Sequence, residues 1–373
     1  MPVALEWLIW AFATSFAVCA GLIVTQKWHG RLTLDHDTQG VQKLHKHPVP
    51  RIGGAALATG LLVAGLGSWL SNASDGTALV LALCAVPTFL AGLIEDLTKR
   101  VSVRRRLIAS FASPLLAVIF LDAQLTRLDT PLLDSLMTFA PLAILFTVFA
   151  VGGMTNAINI IDGLNGLASG SVALMLAGLG CIAWLHNDML VVQLCGVGVA
   201  AVVGFMLLNY PFGRIFLGDG GAYLLGFWLA ECAVLLLMRN PEVSTWAALT
   251  ACLYPFWETM FSMYRRTVIR RAASGRPDNM HFHHLLYRRV VTQRLGARAP
   301  AWRRHALTSG LIWSGVLLCQ FEAAAASTNS EFLMIGALSF AVAYMWLYLG
   351  IVRSSHPHDI ALSAAAHVPV EER

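Results

Sequence analysis

Charge is what this sequence has least of. Only 13% of its 373 residues are Asp, Glu, Lys or Arg, against about 25% in a soluble globular chain. That is too little to cover the surface of a soluble protein of this length. The same shortage, beside so much apolar residue, excludes a disordered chain and a nucleic-acid binder. Cysteine is sparse and unpatterned. Cys19, Cys84, Cys181, Cys195, Cys232, Cys252 and Cys319 all fall in apolar runs, with no CxxC pair and no metal-ligand spacing. Neither a disulfide framework nor a cysteine metal site is implied, and the thiols read as small buried hydrophobes. A basic n-region and a small-residue cleavage site are also missing from the N-terminus. The first apolar run is therefore expected to be a retained span.

Apolar residues make up 57% of the chain, and the class is an all-α polytopic membrane protein. A span needs about 20 mostly apolar residues. That rule gives eleven candidates, near 7–26, 52–70, 78–95, 107–121, 138–157, 167–185, 189–208, 221–238, 246–264, 307–325 and 332–352. The amphiphilic stretch 122–137 reads as interfacial. Lys and Arg set the orientation. If the N-terminus faces the periplasm, all but Arg127 and Arg239 of the 26 basic residues lie on the cytoplasmic side. The C-terminus is then cytoplasmic. Residues 1–352 form a single membrane domain, and 353–373 read as a disordered tail.

The polar clusters with chemical potential all fall on the inner side. They are His45–Gly54, Glu95–Arg100, Asn156–Gly166, Asn209–Gly221 and Asp278–His284. The outer loops are short, with scattered single charges. Reacting groups of a substrate would therefore meet the protein at its inner face. Glu95, Asp96, Asp162 and Asp219 each sit at the inner end of a span. One such acid alone reads as a snorkelling marker. Several converging in one pocket suit a hard cation such as Mg²⁺, which binds through one or two carboxylates, waters and substrate phosphates. His281, His283 and His284 form an H-x-H-H group. With no cysteine or further acid at zinc spacing, phosphate contact fits them better than zinc. Glu231 and Glu258 lie inside spans and are functional candidates by default. For Glu258 an ion pair with Arg265 or Arg266 is expected, while Glu231 has no evident partner in the sequence. Together these residues suit phosphates, a divalent cation and a lipid-soluble partner, with catalysis by positioning and charge neutralisation.

These segments resemble the polyprenyl-phosphate N-acetylhexosamine-1-phosphate transferase superfamily (glycosyltransferase family 4), which includes the MraY and WecA enzymes. The resemblance covers roughly residues 40–285. It rests on the basic-x-P-x-P-x-x-G-G segment at Lys46–Gly54 and the acidic pair Glu95-Asp96 with Lys99 downstream. It rests also on N-A-x-N-x-x-D-G-x-N-G at Asn156–Gly166, N-x-x-P…F-x-G-D-x-G at Asn209–Gly221, and H-x-H-H at His281–His284. The H-x-H-H form resembles the WecA branch.

The resemblance implies an enzyme of the bacterial cytoplasmic membrane. It would transfer a HexNAc 1-phosphate from a UDP-N-acetylhexosamine to undecaprenyl phosphate and release UMP. This would be the first membrane step of a cell-surface polysaccharide such as O antigen or exopolysaccharide. Asp219 would bind Mg²⁺, or Mn²⁺ in its place, with Asp96 as second metal ligand. Asp96 and Glu95 would face the lipid phosphate, one of them proposed as base. Asn159 and Asp162 would lie beside the diphosphate and ribose. Asn209, Asn165 and Phe216 would surround the uracil. Lys46, Lys99, His281, His283 and His284 would contact phosphates. A homodimer is compatible with the family.

The chain departs from the family pattern at three positions. Glu95 stands where Asp is common, Asn165 where Asp is frequent, and Val49 where Thr is frequent. The contacts that select the sugar are expected in the 265–304 loop. Two rival readings are a UDP-MurNAc-pentapeptide phosphotransferase and a nucleotide-sugar or lipid-linked-sugar transporter. H-x-H-H in place of three consecutive His argues against the first. One-sided ionisable groups and the lack of paired repeats argue against the second.

Overall fold

The computed structural model describes residues 5–34, 48–72, 75–269, 278, 280–296 and 298–353. Lys46, and the tail beyond Arg353, lie outside the described residues. The described chain is helical, and its only strand-like feature is an isolated bridge between Leu34 and Pro50. The helices are α1 (Leu5–Val24), α2 (Gln26–Thr33), α3 (Gly53–Leu70), α4 (Thr77–Cys84), α5 (Val86–Thr98), α6 (Val103–Leu121), α7 (Pro131–Met137), α8 (Ala140–Ile161) and α9 (Leu167–Leu185). They continue with α10 (Met189–Asn209), α11 (Gly218–Arg239), α12 (Thr245–Ala251), α13 (Leu253–Tyr264), α14 (Phe282–Leu285), α15 (Thr292–Leu295), α16 (Ala301–Ala325) and α17 (Ser330–Arg353).

Among the described residues, 8 helices are long and apolar enough to cross a membrane, or 9 if the bent pair α4–α5 is one span. The chain is a multi-pass membrane protein. Every expected span is helical, but the expected count of eleven is not reached, for two physical reasons. α6 opens with Arg104, Arg105 and Arg106 in its first turn, which is too much charge for a full apolar window. The segment 246–264 is split into α12 and α13 at Cys252. Pro255 has no N–H for the carbonyl four residues back. That carbonyl, of Ala251, instead accepts from Nε2 of Gln320 at 2.8 Å. Pro87 lies at the start of α5 in the same way, and α4 and α5 meet at 44°.

α11 is the centre of the bundle. Its residues are buried almost all round, as expected of a helix that is apolar on every face. It packs against α3, α5, α8 and α9. Its first turn is approached through glycine. A Cβ on Gly54 of α3 would strike the backbone of Gly220 and Gly221, and one on Gly92 of α5 would strike that of Asp219 and Gly220. Small residues let membrane helices close to backbone contact, and here they bring three helix ends to one point. Six of the seven cysteines are buried as expected, while Cys181 faces outward on α9.

The far ends of the helices are tied by short polar links that bind loops to one another. Asp188 accepts from Nε of Arg239 at 2.7 Å, and the Asn240 carbonyl from Nη2 of Arg127 at 3.2 Å.

The glycine contacts make a clear prediction. Gly92→Val should lower the thermal midpoint in detergent, with an overpacking cost of about 1–3 kcal/mol. Gly153→Ala, where a Cβ meets nothing within 4 Å, should leave the midpoint unchanged in the same melt.

Candidate active site

The site begins with main-chain pairing between two loops far apart in sequence. The Phe216 N–H donates to the Pro50 carbonyl at 2.8 Å, the Gly53 N–H to the Phe216 carbonyl at 2.9 Å, and the Gly54 N–H to the Leu217 carbonyl at 3.0 Å. This pairing lays Arg51 across the N-terminus of α11. Gly218 turns the chain into that helix with φ +75°, a value that favours glycine. A Cβ there would also strike the Arg51 carbonyl and Oδ2 of Asp96.

Asp96 points from α5 at the same place. Its Oδ1 accepts the Asp219 N–H at 3.0 Å and its Oδ2 the Gly220 N–H at 2.9 Å. A helix N-terminus carries unpaired N–H groups and partial positive charge, so a carboxylate there is stabilised. Nε of Arg51 lies 3.1 Å from Oδ1 of Asp96. Nη2 of Arg51 donates to Oδ1 of Asp219 at 2.6 Å, and Nη1 of Arg106 donates to Oδ2 of Asp219 at 2.6 Å. Asn159 adds its side-chain amide to Oδ1 of Asp219 at 3.2 Å. Asp96, Asp219 and Asn159 are thus one assembly, built from α5, α8 and α11.

Asp162 follows the C-terminus of α8 and is half-buried. Its carboxylate has no hydrogen-bond or ion-pair partner among the described residues, while its N–H donates to the Asn159 carbonyl at 3.3 Å. Burial pushes its carboxyl up to about 7; Arg51 works against this, while Asp219 and Asp96 add to it. Three carboxylates therefore share the region with two guanidinium groups, and the open one is Asp162. Glu95 is set apart: its Oε2 accepts the Val101 N–H at 2.8 Å and braces the turn after α5. Lys99 closes α5 in a left-handed conformation and is exposed.

The side chain of Asn209 links two loops. Its Oδ1 accepts the Gly166 N–H at 2.7 Å and its amide donates to the Ile215 carbonyl at 2.7 Å. Asn165 donates from its side-chain amide to the Pro211 carbonyl at 3.0 Å. Phe216 is half-buried beside them. The three residues expected around a base therefore do come together.

The histidine group closes the site from below. A Cβ on Gly163, next to Asp162, would strike Nε2 of His283 and crowd the ring of His284. His283 is fully buried, and neither ring nitrogen has a hydrogen-bond partner among the described residues. Burial, and then the nearby His284, His281 and Arg288, hold His283 well below the usual imidazole range. Burial, His281 and Arg288 bring His284 down to about 3. Both rings are neutral at working pH, and each offers one N–H. His281 is turned away, with Nδ1 at 2.9 Å from Oε1 of Glu258. The expected pairing of Glu258 with Arg265 does not form. Arg265 goes to Asp278 at 2.5 Å, because the loop carries its own acid to the end of α13.

Two functional residues escaped the sequence reading. Arg51 and Arg106 look like orientation markers in a list of basic residues. The signal for Arg51 was its place inside a glycine-proline motif. Arg106 gave none, since its partner Asp219 is 113 residues away.

Among the described residues no three His, Cys, Asp or Glu side chains form a metal-holding group. The donors still suit a hard cation in kind, because Asp162 is an open carboxylate beside a second one, and Mg²⁺ needs only one or two. Asp96→Asn should cost several kcal/mol, on the order of 3–5, because the amide N–H₂ would face one of the two main-chain N–H donors and the lost charge would leave Arg51 half-paired. Glu95→Gln should cost well under half of that in the same thermal melts.

A family model described as Glycosyl transferase family 4 matches residues 78–237. The chain is 27% identical over 270 residues, 69% of this chain and 70% of the relative, to an Escherichia coli (strain K12) protein. That protein is named undecaprenyl-phosphate alpha-N-acetylglucosaminyl 1-phosphate transferase. It is 28% identical over 256 residues to a protein of the same name from Thermotoga maritima, covering 68% of this chain and 73% of the relative. It is 26% identical over 251 residues, 67% of this chain and 69% of the relative, to a Bacillus subtilis (strain 168) protein. The matched span holds Asp96, Arg106, Asn159, Asp162 and Asp219, the core of the assembly at α11. The chain is thus similar to glycosyl transferase family 4 over residues 78–237, and to undecaprenyl-phosphate N-acetylglucosaminyl 1-phosphate transferases over about two thirds of its length.

Proposed function

We propose that the protein transfers an N-acetylhexosamine 1-phosphate from its UDP-sugar to undecaprenyl phosphate, releasing UMP. N-acetylglucosamine is the sugar that the relatives' names favour. The observation that carries the reading is the joint hold of Arg51 and Arg106 on Asp219, beside the open carboxylate of Asp162. Three carboxylates beside two guanidinium groups leave the site short of positive charge, which a divalent cation would supply for a diphosphate. The lysine and arginine distribution supports a site at the cytoplasmic face of the inner membrane, where the nucleotide would be.

In the reaction, an oxygen of the lipid phosphate attacks the phosphorus that bears the sugar. A new P–O bond forms, the P–O bond to UMP breaks, and UMP leaves with the electron pair. The lipid phosphate has a second pKa of about 6, so it is largely dianionic at neutral pH and needs no base. Asp96 then acts by holding Asp219 and Arg51 in place rather than by taking a proton. Arg51 and Arg106 supply guanidinium forks of the kind that clamp phosphate oxygens. His283 and His284, being neutral, add donors without adding charge.

A Mg²⁺ ion, or Mn²⁺, would be held by Asp162, whose carboxylate has no partner among the described residues, and by Asp219 once Arg51 and Arg106 turn from it to the diphosphate. Bound there it would neutralise the diphosphate.

The reaction is tested by UMP release from purified protein with undecaprenyl phosphate, Mg²⁺ and a panel of UDP-N-acetylhexosamines. UMP formed only when lipid, metal and UDP-N-acetylglucosamine are all present supports the proposal. Turnover only with a UDP-MurNAc-peptide would move the chain to the peptidoglycan branch. No UMP, with flux into liposomes, would favour a transporter.

The cation should compete with a proton for Asp162. Because that carboxyl is raised to about 7, it is ionised above this pH and neutral below it. Half-saturation by Mn²⁺ should therefore weaken by about fivefold between pH 7 and pH 6. It should change little between pH 8 and pH 9, and Asp162→Asn should remove the pH dependence.

A further inference from the structure

Glu258 lies on α13, buried to 1% exposure in a helix that faces the bundle. A carboxyl in such a place must find donors, and it has three kinds. Nδ1 of His281 lies 2.9 Å from Oε1, and the Tyr344 hydroxyl donates to Oε2 at 2.6 Å. The Phe282 N–H, at the first turn of α14, reaches both oxygens at 3.3 and 3.4 Å. Tyr344 comes from α17, a helix otherwise largely turned outward. A carboxylate only accepts, so the proton between Glu258 and His281 sits on Nδ1, which fixes the tautomer of the ring.

The other edge of His281 lies beyond hydrogen-bond range of its nearest acid. Its Nε2 lies 4.0 Å from Oδ2 of Asp278, which Arg265 and Ser262 hold at 2.5 and 3.4 Å. The His281 ring then stacks on His283, with centroids 5.6 Å apart and planes within 7°. His283 is the ring with two unpartnered buried nitrogens, set against Gly163. The histidines of the H-x-H-H group are therefore not equivalent. His281 is bound into the protein, while His283 faces the site with nothing yet bonded to it.

We infer that Glu258 and Tyr344 are positioning residues. They lock His281, and through its stacked ring they hold His283 against Gly163, where it meets the diphosphate. The inference deepens the transferase reading and rests on it for the diphosphate. None of Glu258, His281, His283 and Tyr344 falls within the matched residues 78–237.

The test measures kcat and KM for UDP-N-acetylglucosamine in Tyr344→Phe, Glu258→Gln, Glu258→Leu and wild type, with thermal midpoints in detergent. It adds ¹⁵N ring spectra of histidine-labelled protein, with the His281 signals assigned by His281→Gln. Losing an orienting partner of a histidine typically costs about 10–100-fold. Glu258→Leu should lower kcat into that range. Glu258→Gln keeps one acceptor and should recover part of the loss. Tyr344→Phe should lower kcat by severalfold, with KM and midpoint near wild type. His281 should be protonated at Nδ1 in wild type and show mixed tautomers in Glu258→Leu.

Wild-type kcat in Tyr344→Phe and Glu258→Gln would overturn the inference. So would losses that only track a falling midpoint, or a His281 ring protonated at Nε2 in wild type. If wild type releases no UMP, the transferase reading fails, and the tautomer of His281 still decides whether Glu258 positions it.

Discussion

The carboxylate of Asp96 on the first turn of α11 is the contact on which the rest of the site depends. It accepts two main-chain N–H groups that no helical carbonyl could satisfy, and it holds Arg51 beside them. One of those N–H groups belongs to Asp219 itself, so its direction is set by the same pair of bonds. Arg106 and Asn159 then reach Asp219 from α6 and α8. Remove the first contact and four helix ends lose their common reference point. The glycines at Gly54 and Gly92 exist within this constraint, since a side chain at either would push the turn away from the acid meant to cap it.

This arrangement also separates the duties of residues that look alike. Of three carboxylates at the inner end, Asp96 is enclosed, Asp219 is bridged by arginines, and Asp162 is open. Of three histidines, His281 is bound to an acid and His283 has both nitrogens free. The differences come from neighbours and not from residue type. Glu231 is a contrast. It is fully buried in α11, far along the helix from the polar end, with no hydrogen-bond partner for either oxygen among the described residues.

Much of this was legible in the sequence. Apolar windows located every helix that crosses the bundle, because length and hydrophobicity are local properties. The glycine-flanked acids and the H-x-H-H group marked the site, because glycine beside an ionisable residue at a span end is rare without cause. Their grouping was legible as well, since Asp96, Asp162, Asp219 and Asn159 do converge. What stayed hidden depends on distance along the chain. Arg51 and Arg106 meet Asp219 across 168 and 113 residues. Tyr344 meets Glu258 across 86. The nearer guess for Glu258, an arginine two turns on, lost to a histidine 23 residues away, because the loop brings its own Asp278 to that arginine. The break in the ninth span needed Gln320, on α16, to explain how the helix survives its proline.

The central claim is that the nucleotide diphosphate and a divalent cation meet at the N-terminus of α11. Electron–nuclear double resonance on Mn²⁺-loaded protein with UDP-N-acetylglucosamine tests it most directly. The account predicts a ³¹P coupling to the bound Mn²⁺ in the wild type and its loss in Asp219→Asn. A coupling that persists in Asp219→Asn, or none in a wild type that binds both metal and nucleotide, would contradict it.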